Sequence, residues 1–332
     1  MKTALVSSKE IADHRFRFEG NHYLNHYAYL SLQIERRKDK CAKLENVATC
    51  FNPPVFKRQF CQDTENAVQY FQSSDVPSLE EKSKVFIYKG QAESLKLLVH
   101  KNDILVTGFG TIGNTRLVSR HQEGVCYANN VCRIQATGMS AGLIYAFMSS
   151  KYGAAQLNSN ASGSVVRYIE APGIKRTLIP LFSDIFQKEV DDLMQESARL
   201  REEAVDALEE AKGLIMDFCQ EEYATTRLKR FVSVKIKGVR STLNTRFDPT
   251  IYINKGVQWV KSIQKQSTRL GDLNVKMWYP GIFKRAYVEN GLPYLKGSSV
   301  FDVNPFKTCD HLSKARTPKL DDLWLKEGML LI

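Results

Sequence analysis

The sequence predicts an α+β fold: a mixed α/β domain, a long helix, and then a partial second copy of the first domain. Three observations predict it. Short apolar runs punctuated by Gly and Asn alternate with a helical stretch over the first 182 residues. A stretch from Ser183 to Tyr223 carries a narrow apolar seam between charged flanks. Motifs of the N-terminal part then return in order near the C-terminus. The expected segments are 1–182, 183–223 and 224–332.

The repeat is legible motif by motif. Arg17-Phe18-Glu19 with Tyr23 returns as Arg246-Phe247-Asp248 with Tyr252. Pro53, Phe56-Lys57-Arg58 and Phe60 return as Pro280, Phe283-Lys284-Arg285 and Tyr287. Tyr70 to Val76 echoes Tyr294 to Val300, and Leu98 to Val106 echoes Trp324 to Ile332. The offset drifts only between 224 and 229, as a few loop insertions would produce. The first copy continues into Gly108-Phe109-Gly110-Thr111-Ile112-Gly113, for which the second copy has no counterpart.

In the first domain, the strand-like runs are Lys84–Tyr88, Ile104–Thr107, Arg116–Val118 and Val131–Ile134. A helix is expected over Ala141–Tyr152, where Leu143, Ile144, Phe147 and Met148 share a face. The long helix has Ser183 as N-cap and Asp184 in its first turn, where the helix dipole favours an anion. Its seam runs Phe186, Val190, Leu193, Ser197, Leu200, Ala204, Leu208, Ala211, Ile215, Phe218, a heptad rhythm with one extra step of four. About 40 residues give a rod of roughly 60 Å. So narrow a seam calls for another helix along it, with Phe186, Val190, Leu193, Leu200, Leu208, Ile215 and Phe218 as the contact residues.

Charge separates the segments. The chain of 332 residues carries +11, yet Asp184 to Glu222 holds thirteen acids against four bases, a net −9, which leaves +20 elsewhere. A basic body with an acidic insert suggests a polyanion for the body and a protein for the insert. There is no run of about 18 apolar residues for a membrane span, and the first residues have too short an apolar stretch for a secretory signal. Seven cysteines without a CxxC pair argue against a structural zinc site and a disulfide framework; reduced thiols and a cytoplasmic location are expected.

Two motifs suggest enzymes. Gly108 to Gly113 matches GxGxxG after an apolar strand, but Asn114 to Val118 reads as a turn and another strand, and Glu123 lies too near for a ribose ligand. Asn52-Pro53-Pro54-Val55 is similar to the NPP[YF] loop of adenine methyltransferases, where an aromatic stacks on a flipped base. The second copy reads Tyr279-Pro280-Gly281-Ile282, keeping Phe-Lys-Arg and losing this loop, and Val55 stands where an aromatic is required. A repeated binding module fits better than two active sites, so no catalytic residue, metal or cofactor is expected. An S-adenosylmethionine-dependent adenine methyltransferase is the alternative, and a coiled-coil scaffold a third reading.

The stretch from Leu97 to Ala211 resembles a type I restriction-modification specificity subunit. The residues that carry the resemblance are Asn102 to Thr107 leading into Gly110 to Gly113, then Tyr145 to Ser150, Ala161 to Val166, Ile179-Pro180-Leu181, and the helix with Leu200-Arg201-Glu202-Glu203-Ala204. The resemblance implies two target-recognition domains, each reading half of a split DNA sequence, held apart by helices that dock the methyltransferase (modification) subunits. It implies double-stranded DNA as ligand, contact with the restriction/translocase subunit through the complex, and no catalysis by the chain itself. The second domain departs from the pattern in lacking the Gly-rich loop, the Ser-Gly-Ser segment and the distal helix. Three arrangements are compatible with this: a complementary specificity fragment supplies the missing half, a second copy pairs its long helix antiparallel to this one, or the sequence is a truncated product. The candidate DNA contacts are Lys57, Arg58, Thr111, Asn114, Arg116, Asn129, Asn130, Ser164 and Arg167, with Lys284 and Arg285 in the second copy. Arg reads guanine and Asn reads adenine bidentately, while Lys and Ser more often hold phosphate.

Overall fold

The computed structural model describes residues 5–13, 18, 20–23, 26–79, 81–163, 166–218, 233–240, 247–248, 252, 268–279, 281–307 and 309–331. The chain forms two compact units, Met1–Ala204 with Val288–His311, and Val205–Tyr287 with Leu312–Ile332. Strands of the first unit before the long helix are β1 (Cys41–Lys43), β2 (Ala48–Phe51), β3 (Phe60–Cys61), β4 (Ala67–Phe71), β5 (Phe86–Tyr88), β6 (Ile104–Thr107), β7 (Thr115–Leu117), β8 (Cys126–Tyr127), β9 (Val131–Ala136) and β10 (Leu178–Pro180). They make two four-stranded sheets, β2-β9-β6-β7 and β3-β5-β4-β8, and a β1-β10 ribbon. Most pairs are antiparallel, with Ile104 opposite both Leu117 and Ile134; β4 and β8 run parallel, Tyr70 beside Cys126.

The first sheet is buried on both faces, which explains why β6 reads as an unbroken apolar run rather than an alternation. Ile104, Val106 and Ile134 face the helices through Ile144, Phe147, Met148 and Leu157. Leu105 and Val131 face the other way, into a cluster with Phe71, Val99, Val118 and Tyr127. Between Cys132 and Ile134, Arg133 points into that second layer and is fully buried. Its guanidinium donates to the carbonyls of Val131 at 2.7 Å and of Leu97 and Tyr127 at 2.8 Å. Burial pulls its pKa down to about 10, and the three carbonyls are what make a buried cation tolerable there.

The single helix expected over Ala141–Tyr152 is two, Ala141–Ser149 and Lys151–Asn160. Ser150 breaks it, taking an extended backbone (ψ 164°) and accepting from the Gly153 amide at 3.3 Å as the N-cap of the second helix. A hydroxyl that competes for backbone hydrogen bonds is the physical cause. Close packing of the two helices leaves no room for a side chain at 153, since a Cβ would sit 2.3 Å from the Phe147 carbonyl oxygen.

The long helix runs Asp184–Phe218, about 52 Å at 1.5 Å per residue. Its start follows the capping expectation: the Gln187 amide donates to the Ser183 carbonyl at 2.9 Å and the Phe186 amide reaches the Ser183 hydroxyl at 3.4 Å. The face it lays on the first domain is not the apolar seam. Asp191 Oδ1 accepts from the Gly142 amide at 2.8 Å, at the positive N-terminal end of the Ala141–Ser149 helix. Glu202, buried, accepts from the Arg120 amide at 2.8 Å and pairs with its guanidinium at 3.3 Å. Ala198 packs on the core between them. Leu193, Leu200, Leu208 and Ile215 of the seam stay exposed.

Further along are β11 (Tyr287–Val288), β12 (Leu292–Tyr294) and β13 (Asp310–Leu312), in the order β11-β13-β12. No helix among the described residues is long and apolar enough to cross a membrane.

Gly142 sets how closely the long helix docks: a Cβ there would meet Asp191 Oδ1 at 2.3 Å, Met194 Cβ at 3.0 Å and Asp191 Cα at 3.1 Å. Gly142→Ala is expected to destabilise the first unit by about 1–3 kcal/mol through overpacking. Urea unfolding checks this, and a change under about 0.5 kcal/mol would show that the helix is not held at this point.

Candidate functional site

The glycine-rich segment joins two antiparallel strands, β6 and β7, so it is a hairpin connection and not the strand-to-helix turn of a dinucleotide site. Gly110 (φ +75°) and Gly113 (φ +86°) take the left-handed conformation that favours glycine. Gly108 is required for a different reason. A Cβ there would lie 2.5 Å from the Ile169 carbonyl oxygen and 3.0 Å from that of Asn130. The close approach is a pair of backbone bonds: the Gly108 amide donates to Asn130 at 3.0 Å, and the Ile169 amide donates to Gly108 at 2.8 Å. Thr107 Oγ1 ties the loop internally, donating to the Thr111 carbonyl at 2.5 Å and accepting from the Asn114 amide at 3.1 Å.

These bonds gather three loops on one edge: Gly108 to Gly113, the Asn129-Asn130 turn, and the segment ending at Ile169. The edge carries Phe109 stacked on Tyr168, ring centroids 5.6 Å apart and 14° from parallel, both partly open to solvent. Thr111 is exposed and Asn114 half-buried beside them. Asn130 donates to Ser73 Oγ at 3.2 Å, while its Oδ1 is buried with no partner among the described residues. Arg167 donates to the Asn158 carbonyl, which fixes its guanidinium near the same edge. Ser164 lies outside the described residues. The aromatic pair was not among the residues singled out from the sequence; the signal was a Phe between two glycines, where a large side chain has no core to join.

Asn52, the first residue of the NPPV segment, is a structural tie. Its Oδ1 accepts from the Ala171 amide at 2.7 Å and its Nδ2 donates to the Asn129 carbonyl at 3.4 Å. The carboxamide is thus engaged on both sides in holding the Asn129 turn, and Val55 is exposed.

Lys57 and Arg58 are exposed in the connection between β2 and β3. Arg58 Nε donates to Tyr70 Oη at 2.6 Å, and its guanidinium carbon lies 5.6 Å from that ring's centroid. Burial raises the Tyr70 pKa, and the Arg58 hydrogen bond works against that rise. This contact orients Arg58 and leaves its terminal nitrogens without a partner among the described residues. Lys284 and Arg285 are likewise exposed, with the Arg285 guanidinium 5.1 Å from the Phe283 ring centroid.

Arg116 does not join them, and the sequence expectation is corrected here. It is buried, and its guanidinium is fully engaged: Nη2 to Glu81 Oε1 at 2.8 Å, Nε to Gln122 Oε1 at 2.8 Å, and Nη1 to the carbonyls of Val76 and Ser78. Lying on an edge strand two residues past the loop, it had the sequence look of a surface contact, and nothing local marks Glu81 as its partner.

Of the helix residues, Phe186, Leu193, Leu200, Leu208 and Ile215 are exposed and Val190 is half-buried, while the Phe218 side chain lies outside the described residues.

No family model and no curated protein matches this chain. Several solved structures are similar to it, among them these three. One is an HsdS subunit from Thermoanaerobacter tengcongensis, with TM-score 0.34 and 11% identity over 54% of this chain and 47% of that one. A type I restriction-modification system S subunit from M. genitalium gives 0.42 and 12%, over 80% and 60%. The third, from work on complex assembly and conformational transition of the type I R-M system, gives 0.37 and 12%, over 57% and 51%. This chain therefore spans about half to three fifths of those chains.

Removing Arg116 would leave the Glu81 carboxylate buried without its main partner. Arg116→Ala is expected to cost about 3–5 kcal/mol, and Arg116→Met with Glu81→Leu to recover a large part of it. Urea unfolding of the three proteins decides this; a single variant as stable as the parent would mean that the pair is not a buried anchor.

Proposed function

We propose that this chain is a non-catalytic DNA sequence-specificity subunit of a type I restriction-modification complex. In this reading it recognises part of a bipartite duplex target and docks the methyltransferase subunits. The observation that carries the reading is the edge built by the glycine-rich hairpin. It presents stacked aromatic faces, a threonine hydroxyl and carboxamides, the groups that contact DNA bases and backbone. The two enzyme-like motifs are meanwhile engaged in structure: GFGTIG as a hairpin and Asn52 as a backbone tie. That arrangement favours readout over S-adenosylmethionine chemistry.

The segment assignment follows the same reading: 1–182 as the first target-recognition domain, 183–223 as the spacer helix and 224–332 as an incomplete second domain. It is supported by strand order, since β3-β5-β4 in the first copy matches β11-β13-β12 at offsets of 224 to 227. Docking of a partner helix is supported by the exposed seam through Leu193, Leu200, Leu208 and Ile215. That helix would come from a second copy or a complementary fragment.

Methylome sequencing of a host with and without this chain tests the function. The expected result is adenine methylation at a split motif that appears only with the chain. Micromolar S-adenosylmethionine binding by the isolated chain would overturn the reading. Within it, Arg58→Ala is expected to weaken duplex binding about tenfold, on the order of 1–3 kcal/mol for a base-reading Arg, with the melting temperature within a few degrees of the parent. Fluorescence anisotropy and thermal unfolding read these two quantities, and unchanged affinity would place the DNA on another face.

A further inference from the structure

A half-open cleft of about 850 Å³ lies in the first unit, beside the glycine-rich hairpin. One wall is the hairpin itself, with Thr111 and Asn114; the opposite wall comes from the segment after β12, with Ser298, Asn304 and Lys307. Backbone pairing places that segment. The Leu79 amide donates to Phe301 at 2.7 Å and the Val303 amide to Pro77 at 2.8 Å, around an antiparallel bridge between Ser78 and Asp302. Lys307 then reaches across, and its Nζ donates to the Gly113 carbonyl at 3.2 Å.

The charge balance in this cleft is uneven. Two cations line it, Lys307 and the half-buried Arg201 of the long helix, and among the described residues neither has an ion pair. The neighbours of Arg201 on the helix do: Arg199 pairs with Glu196 and Glu203, and Glu202 with Arg120. The one carboxylate in the lining is Asp302, whose pKa burial raises; Tyr145 is the remaining titratable group there. Burial also pushes the Lys307 ammonium down to about 8. The single backbone carbonyl leaves two of its three donor hydrogens for a ligand. Hydroxyls of Ser73, Ser74, Thr111, Ser298 and Ser299 surround these charges. A ligand with one or two negative charges and several acceptor oxygens would satisfy the cations and hydroxyls together.

We propose that this cleft binds a phosphate group, with Lys307 and Arg201 holding its charge and Thr111, Asn114 and Ser298 donating to its oxygens. The group is either a phosphodiester of bound duplex DNA, in which case the site rests on the function proposed above, or a free phosphate. Lys307 bridges to the hairpin that carries Phe109, so an occupied site fixes the reading edge against the 298–307 segment.

Calorimetry on the full chain, once with inorganic phosphate and once with a duplex of about 20 base pairs over a salt series, tests the proposal with Lys307→Met and Lys307→Arg. Met keeps the aliphatic stem and removes a charge that burial disfavours, so the variant is expected to fold at least as well as the parent; Arg201→Gln is the second variant should it not. If the ligand is DNA, Lys307→Met lowers the slope of log affinity against log salt by about one, and Lys307→Arg restores it. If it is free phosphate, binding is lost in Lys307→Met and kept in Lys307→Arg. With the duplex, whose phosphodiesters keep one charge each throughout, affinity falls between about pH 7 and 9.5 as Lys307 gives up its proton. Phosphate binding without duplex binding would keep the site and sink the DNA function. Duplex binding with the parent's salt slope in every variant, and no phosphate binding, would overturn the site and leave the function standing.

Discussion

The buried ion pair of Arg116 and Glu81 is the interaction on which the arrangement of the first unit turns. Arg116 sits on β7, immediately beyond the glycine-rich hairpin, and its guanidinium holds the carbonyls of Val76 and Ser78. Glu81 in turn accepts from Ser119 at 3.0 Å and contacts His121 at 3.0 Å. One guanidinium therefore fixes the loop that pairs with Phe301 and Val303, and with it the far wall of the cleft that faces the hairpin. Burying two charges is costly unless every donor and acceptor is met. The number of partners here is the condition for the pair to exist at all.

A second constraint concerns the long helix. Its apolar seam and its docking face are different faces, because the domain offers it helix termini rather than a greasy groove. Asp191 meets the N-terminal amides of the Ala141–Ser149 helix, and Glu202 meets the Arg120 amide at the start of a 3-10 turn. Carboxylates suit such sites because the unsatisfied amides there carry partial positive charge. The acidic character of the helix thus has an internal use in its first half, and the seam stays open for another helix.

The fold class was legible because it depends on periodicity. The β6 run, the Ser183 cap and the long helix rest on local signals, and each appears in the structure where the pattern puts it. The hairpin nature of GFGTIG was also readable, from the turn and strand-like Arg116-Leu117-Val118 after it, where the structure has a strand over Thr115–Leu117. The site was legible only in part. Thr111, Asn114 and Asn130 lie together because the loop is a contiguous stretch closed on a turn. The burial of Arg116 was not readable, since its partner Glu81 lies 35 residues away, in the connection between β4 and β5. Lys307 was hidden for the same reason: its contact with Gly113 spans 194 residues. The break at Ser150 was missed because helix-forming neighbours on both sides mask a cap that acts through one hydroxyl.

The proposed function requires that this chain bind duplex DNA through a few positioned cations and polar groups. The most direct measurement is the affinity of the full chain for duplex DNA across a salt series from about 50 to 200 mM. Each neutralised phosphate contributes about −0.9 to the slope of log affinity against log salt. The account predicts a linear fall with a slope of about −3 or steeper, and tighter binding to one sequence than to a pool of random duplexes. Absence of binding at the lowest salt, or an affinity that salt leaves unchanged, would contradict it.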